Sequence, residues 1–325
     1  MNISFSVCKQ VQPIVSFPGL DMGSYNLRHQ KEKLVFVMGA TGTGKSKLSI
    51  DLATHFPAEI VNSDKIQVYK GLNIVTNKVT EEECRGIPHH LLGMVDPEDD
   101  FTATDFRHHA TLAIESILKK DKVPIIAGGS NSYIESLVHD DAYFLSRYEC
   151  CFLWVDVSLP ILKSFVSERV DRMVKDGLVE EMRGVFGPKT DYSKGIWRAI
   201  GVPEMDQFLH AEGNADQDTL MHLLDEAIKD IKDNTYKLAV TQLQKIHRLR
   251  DFWGWKLHRI DATEVFLKRG EEAEKAWKNS VLVPSTMIVG RFLRQDNRFR
   301  TISPGARPPI IRRAQPMIAL ATATH

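Results

Sequence analysis

Short apolar runs alternate with longer amphipathic stretches along most of the chain. Runs that predict buried strands occupy residues 34–38, 59–62, 123–127, 151–157 and 257–261. Between them, apolar positions recur every three or four residues, and this spacing predicts helices at 46–55 and about 104–120. Such alternation is typical of a parallel sheet with helices on both faces. The expected fold class is therefore α/β.

The pattern becomes helical after the fourth predicted strand. Helical spacing runs through residues 161–186, and a second long helical pattern extends from Leu220 to Leu249. These patterns indicate a small helical insertion, followed by a long helix that returns to the core. The predicted divisions are a flexible N-terminal segment (1–32), a core domain (33–160 and 223–265), the helical insertion (161–222), a C-terminal helical region (266–290) and a disordered, Arg-rich tail (291–325).

Residues 39–46, Gly-Ala-Thr-Gly-Thr-Gly-Lys-Ser, join the first strand to the first helix and match the phosphate-binding pattern GxxxxGK[ST]. In such a P-loop the backbone N–H groups and the helix N-terminus face phosphate oxygens. Lys45 adds a positive charge, and the Ser46 hydroxyl is a candidate Mg²⁺ ligand. The motif makes the expected fold a P-loop NTPase-like sheet. The residues predicted to bind phosphate oxygens are Gly39, Thr41, Gly42, Thr43, Gly44, Lys45 and Ser46.

Polar residues also follow the second and third predicted strands. Asp64 comes after the second strand, and a Gly-Gly-Ser130 sequence comes after the third. Ligands of parallel sheets bind beyond the carboxyl ends of the strands, so we expect these residues to share one cleft with the P-loop. An acid at the position of Asp64 can bind a metal ion through water or act as a general base. A second candidate metal ligand, Asp156, lies near the end of the fourth strand.

Composition limits the kinds of partner. The chain has 42 Lys and Arg against 42 Asp and Glu. Seven arginines and one acid lie after residue 290, and subtracting them leaves residues 1–290 with 35 basic and 41 acidic side chains. A mildly acidic body does not favour nucleic acid binding, and no apolar stretch reaches the ~20 residues that span a bilayer. We therefore expect neither a stable nucleic acid partner nor a membrane association.

The cysteines and the N-terminal segment give information about the cellular compartment of the protein. The four cysteines include no CxxC pair, which favours a reducing environment. The first ~30 residues contain four serines and one acid, a composition that suits an organellar transit segment. A disordered terminus of a cytoplasmic protein fits the same composition.

Seven stretches carry a family resemblance: GATGTGKS (39–46), IVNSDKIQVYKGL (60–72), GIPHHLLG (86–93), IIAGGSNSYIESL (125–137), RVDRMVKDGLVEEM (169–182), AIGVPE (199–204) and NTYKLAVTQLQKI (234–246). Through them the chain resembles the isopentenyltransferases that prenylate the N6 amine of adenine, and most closely the plant adenylate type that makes cytokinin nucleotides. The similarity covers roughly residues 33–265.

The resemblance implies a specific reaction. The P-loop would hold the diphosphate of dimethylallyl diphosphate as a leaving group, and an adenine nucleotide would be the acceptor. The plant resemblance favours ADP and ATP, with AMP as an alternative. The resemblance implies Asp64 as the base, with Asn62 and Ser63 beside it on the acceptor side. It also implies that Ser130 and Arg198 bind oxygens of the donor. Mg²⁺ as cofactor and a plastid location follow from the same resemblance. The oligomeric state is open at this point, with a monomer as the default.

The chain departs from this family at Val240 and Thr241, where members commonly place two basic residues. A cation at that position would contact diphosphate. Lys237 or Lys245, about one helical turn to either side, is a candidate replacement. A solvent-exposed helix face is the alternative interpretation of either lysine.

Three other functions compete with adenylate prenylation. A tRNA dimethylallyltransferase would share the core and Asp64, but the acidic body disfavours it, and the chain has no C-x₂-C…H-x₃₋₅-H zinc-finger pattern. A small-molecule kinase would use the same P-loop with ATP as phosphoryl donor. A regulatory nucleotide-binding protein would not require both Lys45 and Asp64.

Overall fold

A computed structural model describes residues 31–141, 143–187 and 190–294 of the chain. The N-terminal segment before residue 31, and the part of the predicted tail after residue 294, lie outside these ranges.

Strands and helices alternate along these ranges. The strands are β1 (Glu32–Gly39), β2 (Ala58–Asn62), β3 (His89–His90), β4 (Val123–Ala127), β5 (Tyr148–Asp156) and β6 (Leu257–Asp261). The helices are α1 (Lys45–His55), α2 (Glu81–Cys84), α3 (Ala103–Leu118), α4 (Asn131–His139), α5 (Phe144–Arg147), α6 (Leu159–Lys175), α7 (Leu178–Val185), α8 (Asp206–Ala211), α9 (Gln217–Asp251), α10 (Thr263–Phe266), α11 (Gly270–Ala276) and α12 (Val283–Arg294). Short 3₁₀ segments lie at Gly195–Arg198 and Pro203–Met205, and a π-helical segment at Trp277–Leu282 joins α11 to α12.

The strands form one parallel sheet in the order β3-β2-β4-β1-β5-β6. The last residue of β4, Ala127, pairs with Asn62 at the end of β2 and with Val37 near the end of β1. The carboxyl ends of these three strands therefore lie at one edge of the sheet. That edge carries the P-loop, Asp64 and the Gly-Gly-Ser130 loop, as expected for an α/β fold.

Side chains of β1 alternate between two hydrophobic cores, one on each face of the sheet. Leu34, Phe36 and Met38 belong to one core, Val35 and Val37 belong to the other, and all five are fully buried. Burying an apolar side chain of this size stabilises a fold by roughly 1.5–3 kcal/mol. Helices cover both faces of the sheet, so the side chains on each face of a strand are buried. The strands are therefore continuous apolar runs in the sequence.

The predicted α/β fold with a parallel sheet is confirmed. All five predicted strands are present, and the helices predicted at 46–55 and 104–120 correspond to α1 and α3. The sequence did not reveal β3, a strand of only two residues, or helix α4. The described residues from Glu32 onward form one unit, and the boundaries of the helical insertion at 161–222 stay a prediction.

Two predicted features differ from the structure. The helical pattern at 161–186 is two helices, α6 and α7, because Gly177 between them adopts a left-handed conformation with φ of 104°. The disorder predicted from residue 291 is wrong for residues 291–294, since α12 continues through Arg294. Val289 and Leu293 of this helix are buried against the core, and burial outweighs the Arg-rich composition there.

Helix α9 contacts the loops at the carboxyl edge of the sheet. Asp216 caps its N-terminus by accepting a hydrogen bond from the Thr219 amide at 2.9 Å. Its buried stripe follows a spacing of three or four residues and comprises Ala227, Ile231, Thr235, Ala239, Gln242, Ile246 and Leu249. The helix has 35 residues, but no helix in the described part of the chain is both long and apolar enough to cross a membrane.

Candidate active site

A cavity of about 640 Å³ lies at the carboxyl edge of the sheet. Its lining includes five residues of the P-loop, Asn62 at the end of β2, Asp64 in the loop that follows, and Gly128 and Gly129 after β4. Helices α6 and α9 and the segment from Val265 to Trp277 complete the wall. The cleft predicted from three strand ends therefore exists, and it includes walls that the sequence did not indicate.

The P-loop has the backbone geometry that its glycines predict. Gly44, with φ of 93°, precedes the first residue of α1, so the loop and the positive end of that helix face the same space. A Cβ on Gly44 would lie 2.8 Å from the ring of Trp277, and one on Gly39 would lie 2.5 Å from the Val155 carbonyl oxygen. Both positions therefore exclude a side chain.

Lys45 lies at the start of α1 with its ammonium group directed into the loop. Its Nζ donates a hydrogen bond to the Ala40 carbonyl oxygen at 2.7 Å. Burial lowers the pKa of Lys45 to about 8; the nearby Asp64 opposes this shift, and Arg169 reinforces it. A bound polyanion would supply the negative charge that this partly desolvated ammonium lacks.

Asp64 has one anchored and one open carboxylate oxygen. Oδ1 accepts hydrogen bonds from the amides of Ile66 at 2.9 Å and Gln67 at 3.4 Å. Asn62 holds the turn by donating to the Leu91 carbonyl oxygen at 2.9 Å. Oδ2 has no hydrogen-bond partner among the described residues, and Asp64 lines the cavity. This geometry suits a general base, which needs a fixed orientation and a free lone pair.

The two glycines after β4 bring the Asp64 loop close to the β4 loop. A Cβ on Gly128 would lie 2.7 Å from the Asp64 amide nitrogen, and one on Gly129 would lie 2.4 Å from the side-chain nitrogen of Gln242. The glycines thus permit a close approach between protein segments. Ser130 Oγ accepts a hydrogen bond from the Lys65 amide at 3.0 Å and also joins the two loops.

Several predicted residues do not line the cavity. Thr43 is buried and donates to the Ala40 carbonyl oxygen at 2.9 Å, and Ser63 is fully buried. Gly39 and Ser130 also lie outside the lining. Arg198 lies outside it too and donates to the Tyr69 hydroxyl at 3.1 Å. The roles that the family resemblance implies for these residues stay predictions.

Asp156 is at the end of β5 and forms an ion pair with Arg259 at 2.7 Å. It is absent from the cavity lining, so the structure favours a strand-end ion pair over a metal ligand.

Arg169 on α6 is a functional candidate that the sequence analysis did not single out. Its Nη2 donates to Thr41 Oγ1 in the P-loop at 3.1 Å, and its buried Nε has no hydrogen-bond partner among the described residues. Burial lowers the pKa of Arg169 to about 10; the neighbouring Arg172 lowers it further, and Asp64 opposes the shift.

The two lysines considered as replacements for the missing basic pair, Lys237 and Lys245, do not line the cavity. Arg169 and Arg172, which RVDR places one turn apart on α6, line the cavity instead.

The C-terminal helical region also contributes to the cavity, which the sequence did not indicate. Trp277 packs against Gly44, and its indole N–H donates to Asp51 Oδ2 on α1 at 2.8 Å. Asp51 accepts a second hydrogen bond from Arg85 at 2.8 Å. Phe266, Arg269 and other residues before Trp277 complete this side of the wall. The sequence predicted this segment only as part of a helical region and did not indicate that it lines the cavity.

A P-loop and a carboxylate with one unpartnered oxygen, that of Asp64, line the same cavity. This combination is typical of an enzyme that transfers a group from or to a phosphorylated compound. A family model described as IPP transferase matches residues 67–144 and 139–248. Lys45 and Asp64 lie N-terminal to the matched residues.

Similar proteins narrow the class. Adenylate isopentenyltransferase 5, chloroplastic, of Arabidopsis thaliana is 63% identical over 87% of this chain and 87% of its own length. Adenylate isopentenyltransferase 7, mitochondrial, of the same plant is 55% identical over 92% and 93%. Adenylate isopentenyltransferase of Humulus lupulus is 43% identical over 79% and 89%. The chain therefore belongs to the adenylate isopentenyltransferases of the IPP transferase family.

Solved structures agree on the fold. A eukaryotic dimethylallyltransferase acting on tRNA superposes with a TM-score of 0.69 at 23% identity, covering 82% of this chain and 80% of its own. The tRNA isopentenylpyrophosphate transferase of Bacillus halodurans has a TM-score of 0.64 at 23% identity, covering 82% and 100%.

Proposed function

We propose that this enzyme transfers the dimethylallyl group of dimethylallyl diphosphate to N6 of adenine in ADP or ATP and releases diphosphate, a reaction of cytokinin biosynthesis. The observation that carries the proposal is the open Oδ2 of Asp64 in the same cavity as the Lys45 P-loop. The adenylate isopentenyltransferase names of the relatives support it.

The proposed reaction is a substitution at C1 of the allylic chain. The bond between C1 and the diphosphate oxygen breaks, a bond between C1 and N6 forms, and the N6 proton passes to Asp64. Diphosphate leaves with the electron pair of the broken bond. Because Oδ1 is already held by two backbone amides, Oδ2 is the oxygen that accepts the proton.

Negative charge accumulates on the departing diphosphate in the transition state. The loop amides, the N-terminus of α1 and Lys45 face this charge from one side. Arg169 faces it from α6, where a ligand oxygen would satisfy its unpartnered Nε. We infer that Arg169 supplies the contact that other family members take from the basic pair replaced here by Val240 and Thr241, since an arginine offers several N–H donors to diphosphate.

The residues of the cavity fit a magnesium ion that accompanies the donor. Ser46 is exposed at the N-terminus of α1 and lines the cavity. Proteins often hold Mg²⁺ by one or two side chains, with substrate phosphates and water completing the shell. Among the described residues there is no group of three or more His, Cys, Asp or Glu that could hold a metal ion alone. Ser46 would therefore hold the ion together with diphosphate, and the ion would neutralise charge on the leaving group.

Partners and location follow from the same proposal. The two substrates are the small-molecule partners, and we propose a monomer without a stable nucleic acid partner. We propose a plastid location, since two of the similar Arabidopsis proteins are named chloroplastic, although a third is named mitochondrial. Fusion of residues 1–32 to a fluorescent protein tests this location in plant cells, and a cytoplasmic signal would contradict it.

Product analysis tests the reaction itself. The enzyme is incubated with Mg²⁺, dimethylallyl diphosphate and either ATP, ADP, AMP or unmodified tRNA, and the products are identified by mass spectrometry. We expect N6-dimethylallyl ADP and ATP together with free diphosphate. Loss of the γ-phosphate without prenylation would indicate a kinase, and prenylation of tRNA alone would indicate a tRNA enzyme.

An Asp64→Asn variant tests the base. The amide keeps an oxygen for the backbone N–H groups but cannot accept the N6 proton, so turnover should fall by about 10²–10⁴-fold. Binding of dimethylallyl diphosphate should remain within about 3-fold of the wild type, because Asp64 does not carry the donor site. Retained turnover would exclude Asp64 as the base.

A further inference from the structure

Gln242 on α9 connects the two loops that would hold the two substrates. Its Oε1 accepts a hydrogen bond from the Thr41 amide of the P-loop at 2.7 Å. Its Nε2 donates to the Gly129 carbonyl oxygen in the β4 loop at 2.9 Å. Only 7% of the residue is exposed, and the side chain lines the cavity. One amide group thus bridges a backbone donor and a backbone acceptor that are 88 positions apart in the chain.

The far end of this bridge lies beside the proposed base. A Cβ on Gly129 would lie 3.7 Å from Asp64 Oδ2. The next residue, Ser130, accepts a hydrogen bond from the amide of Lys65, which follows Asp64. The β4 loop is therefore fixed to the Asp64 loop on one side and to Gln242 on the other. Through Gln242, the position of the base is tied to the position of the P-loop.

Helix α9 is itself fixed to the same loop. Asn131 Nδ2 donates to the Gln242 carbonyl oxygen at 3.0 Å, and this contact is buried. This hydrogen bond fixes the backbone of Gln242, and with it the origin of the Gln242 side chain. Among neutral side chains, a terminal amide offers both a donor and an acceptor; Asn offers the same groups on a stem shorter by one methylene.

We propose that Gln242 is a positioning residue that sets the separation between the P-loop and Asp64. This inference rests on the proposed function, in which the donor diphosphate occupies the P-loop and the acceptor amine faces Asp64. Prenyl transfer requires C1, N6 and Asp64 to meet at reacting distance, and a displacement of about 1 Å can lower a rate by about 10²-fold. Gln242 acts on this geometry through the two backbones, so its loss affects turnover more than nucleotide binding.

The test compares Gln242→Met with Gln244→Met. Methionine has a length similar to glutamine but forms neither hydrogen bond, and Gln244 is exposed on the same helix. We expect kcat of Gln242→Met to fall by about 100-fold while KM and the dissociation constant for ADP stay within about 3-fold of the wild type. Gln244→Met should match the wild type. Equal kcat in the two folded variants would overturn the proposal, as would a loss confined to ADP binding.

A second variant covers the case in which Gln242→Met does not fold. Gln242→Asn keeps the amide but is too short to bridge both partners, so the same fall in kcat with unchanged ADP binding is expected. Wild-type kcat in Gln242→Asn would refute the bridging role. If the wild type and Gln244→Met both fail to prenylate, the proposed function fails; if both prenylate and the Gln242 variants do so equally well, only this inference fails.

Discussion

The P-loop lysine should destabilise the protein when no ligand is bound. Burial lowers the pKa of Lys45 from 10.5 to about 8. At 1.36 kcal/mol per pH unit, this difference corresponds to at most about 3 kcal/mol, since the side chain keeps some contact with solvent. The folded state disfavours the charged lysine, so the cost is complete below pH 8. It declines between pH 8 and 10.5 and disappears above that range.

A Lys45→Met variant removes this cost. Methionine keeps an apolar stem of similar length, and the Ala40 carbonyl oxygen, which loses the lysine, still accepts a hydrogen bond from Thr43 Oγ1. We expect the variant to be more stable than the wild type by up to about 3 kcal/mol at pH 7, and this advantage should shrink as pH rises toward 10.5. Its turnover should be lost, because the charge that faces diphosphate is absent.

Urea unfolding at pH 7, 8.5 and 9.5 measures this effect, with Lys229→Met on the exposed face of α9 as the control. The control should show no pH-dependent change in stability. Added diphosphate should stabilise the wild type far more than Lys45→Met, since only a ligand that binds the folded state raises its stability. A Lys45→Met protein that is less stable than the wild type at pH 7, or whose advantage does not change with pH, would refute the reasoning.

Two further predictions concern a buried residue of β2 and a glycine of the P-loop. Glu59 is buried, and although burial opposes the shift, hydrogen bonds from His90, Lys122 and Lys120 lower its pKa from 4.5 to about 2. Glu59→Gln should therefore lower the free energy of unfolding by at most about 3 kcal/mol above pH 4.5, since solvent screens the partly exposed Lys120 and Lys122. The difference from the wild type should narrow as pH falls toward 2, and a constant difference in denaturant titrations would contradict this. Gly44→Ala should weaken donor binding in calorimetry, because its Cβ would meet the Trp277 ring at 2.8 Å. The loss should be smaller in a Trp277→Leu background, and equal losses would exclude the clash.

The sequence predicted the sheet and the phosphate loop well, because both depend on local patterns. Apolar runs marked the strands, and the glycines of residues 39–46 marked the loop. Asp64 was predicted from its place after a strand, although the residues alone left open whether it binds metal or accepts a proton.

The remaining parts of the site depend on tertiary packing, which local patterns do not encode. Arg169 and Gln242 read as ordinary positions of amphipathic helices, and only the folded arrangement brings them to the P-loop. Gln242 did leave a signal, since it is a polar residue in the apolar stripe between Ala239 and Ile246. The suggestion that Lys237 or Lys245 replaces the missing basic pair relied on proximity in sequence. The cations that line the cavity come from α1, from α6 and from the segment before α11.

The contact between Trp277 and Gly44 has a consequence for how the enzyme is made. More than 230 positions separate these residues in the chain, so the cavity wall is complete only after the segment through Trp277 has left the ribosome. Contacts between distant parts of a chain also form slowly. A nascent chain can therefore assemble the first strands and the P-loop well before it can enclose a donor. Ligand-induced stabilisation should appear late in synthesis, once the segment through Trp277 has docked.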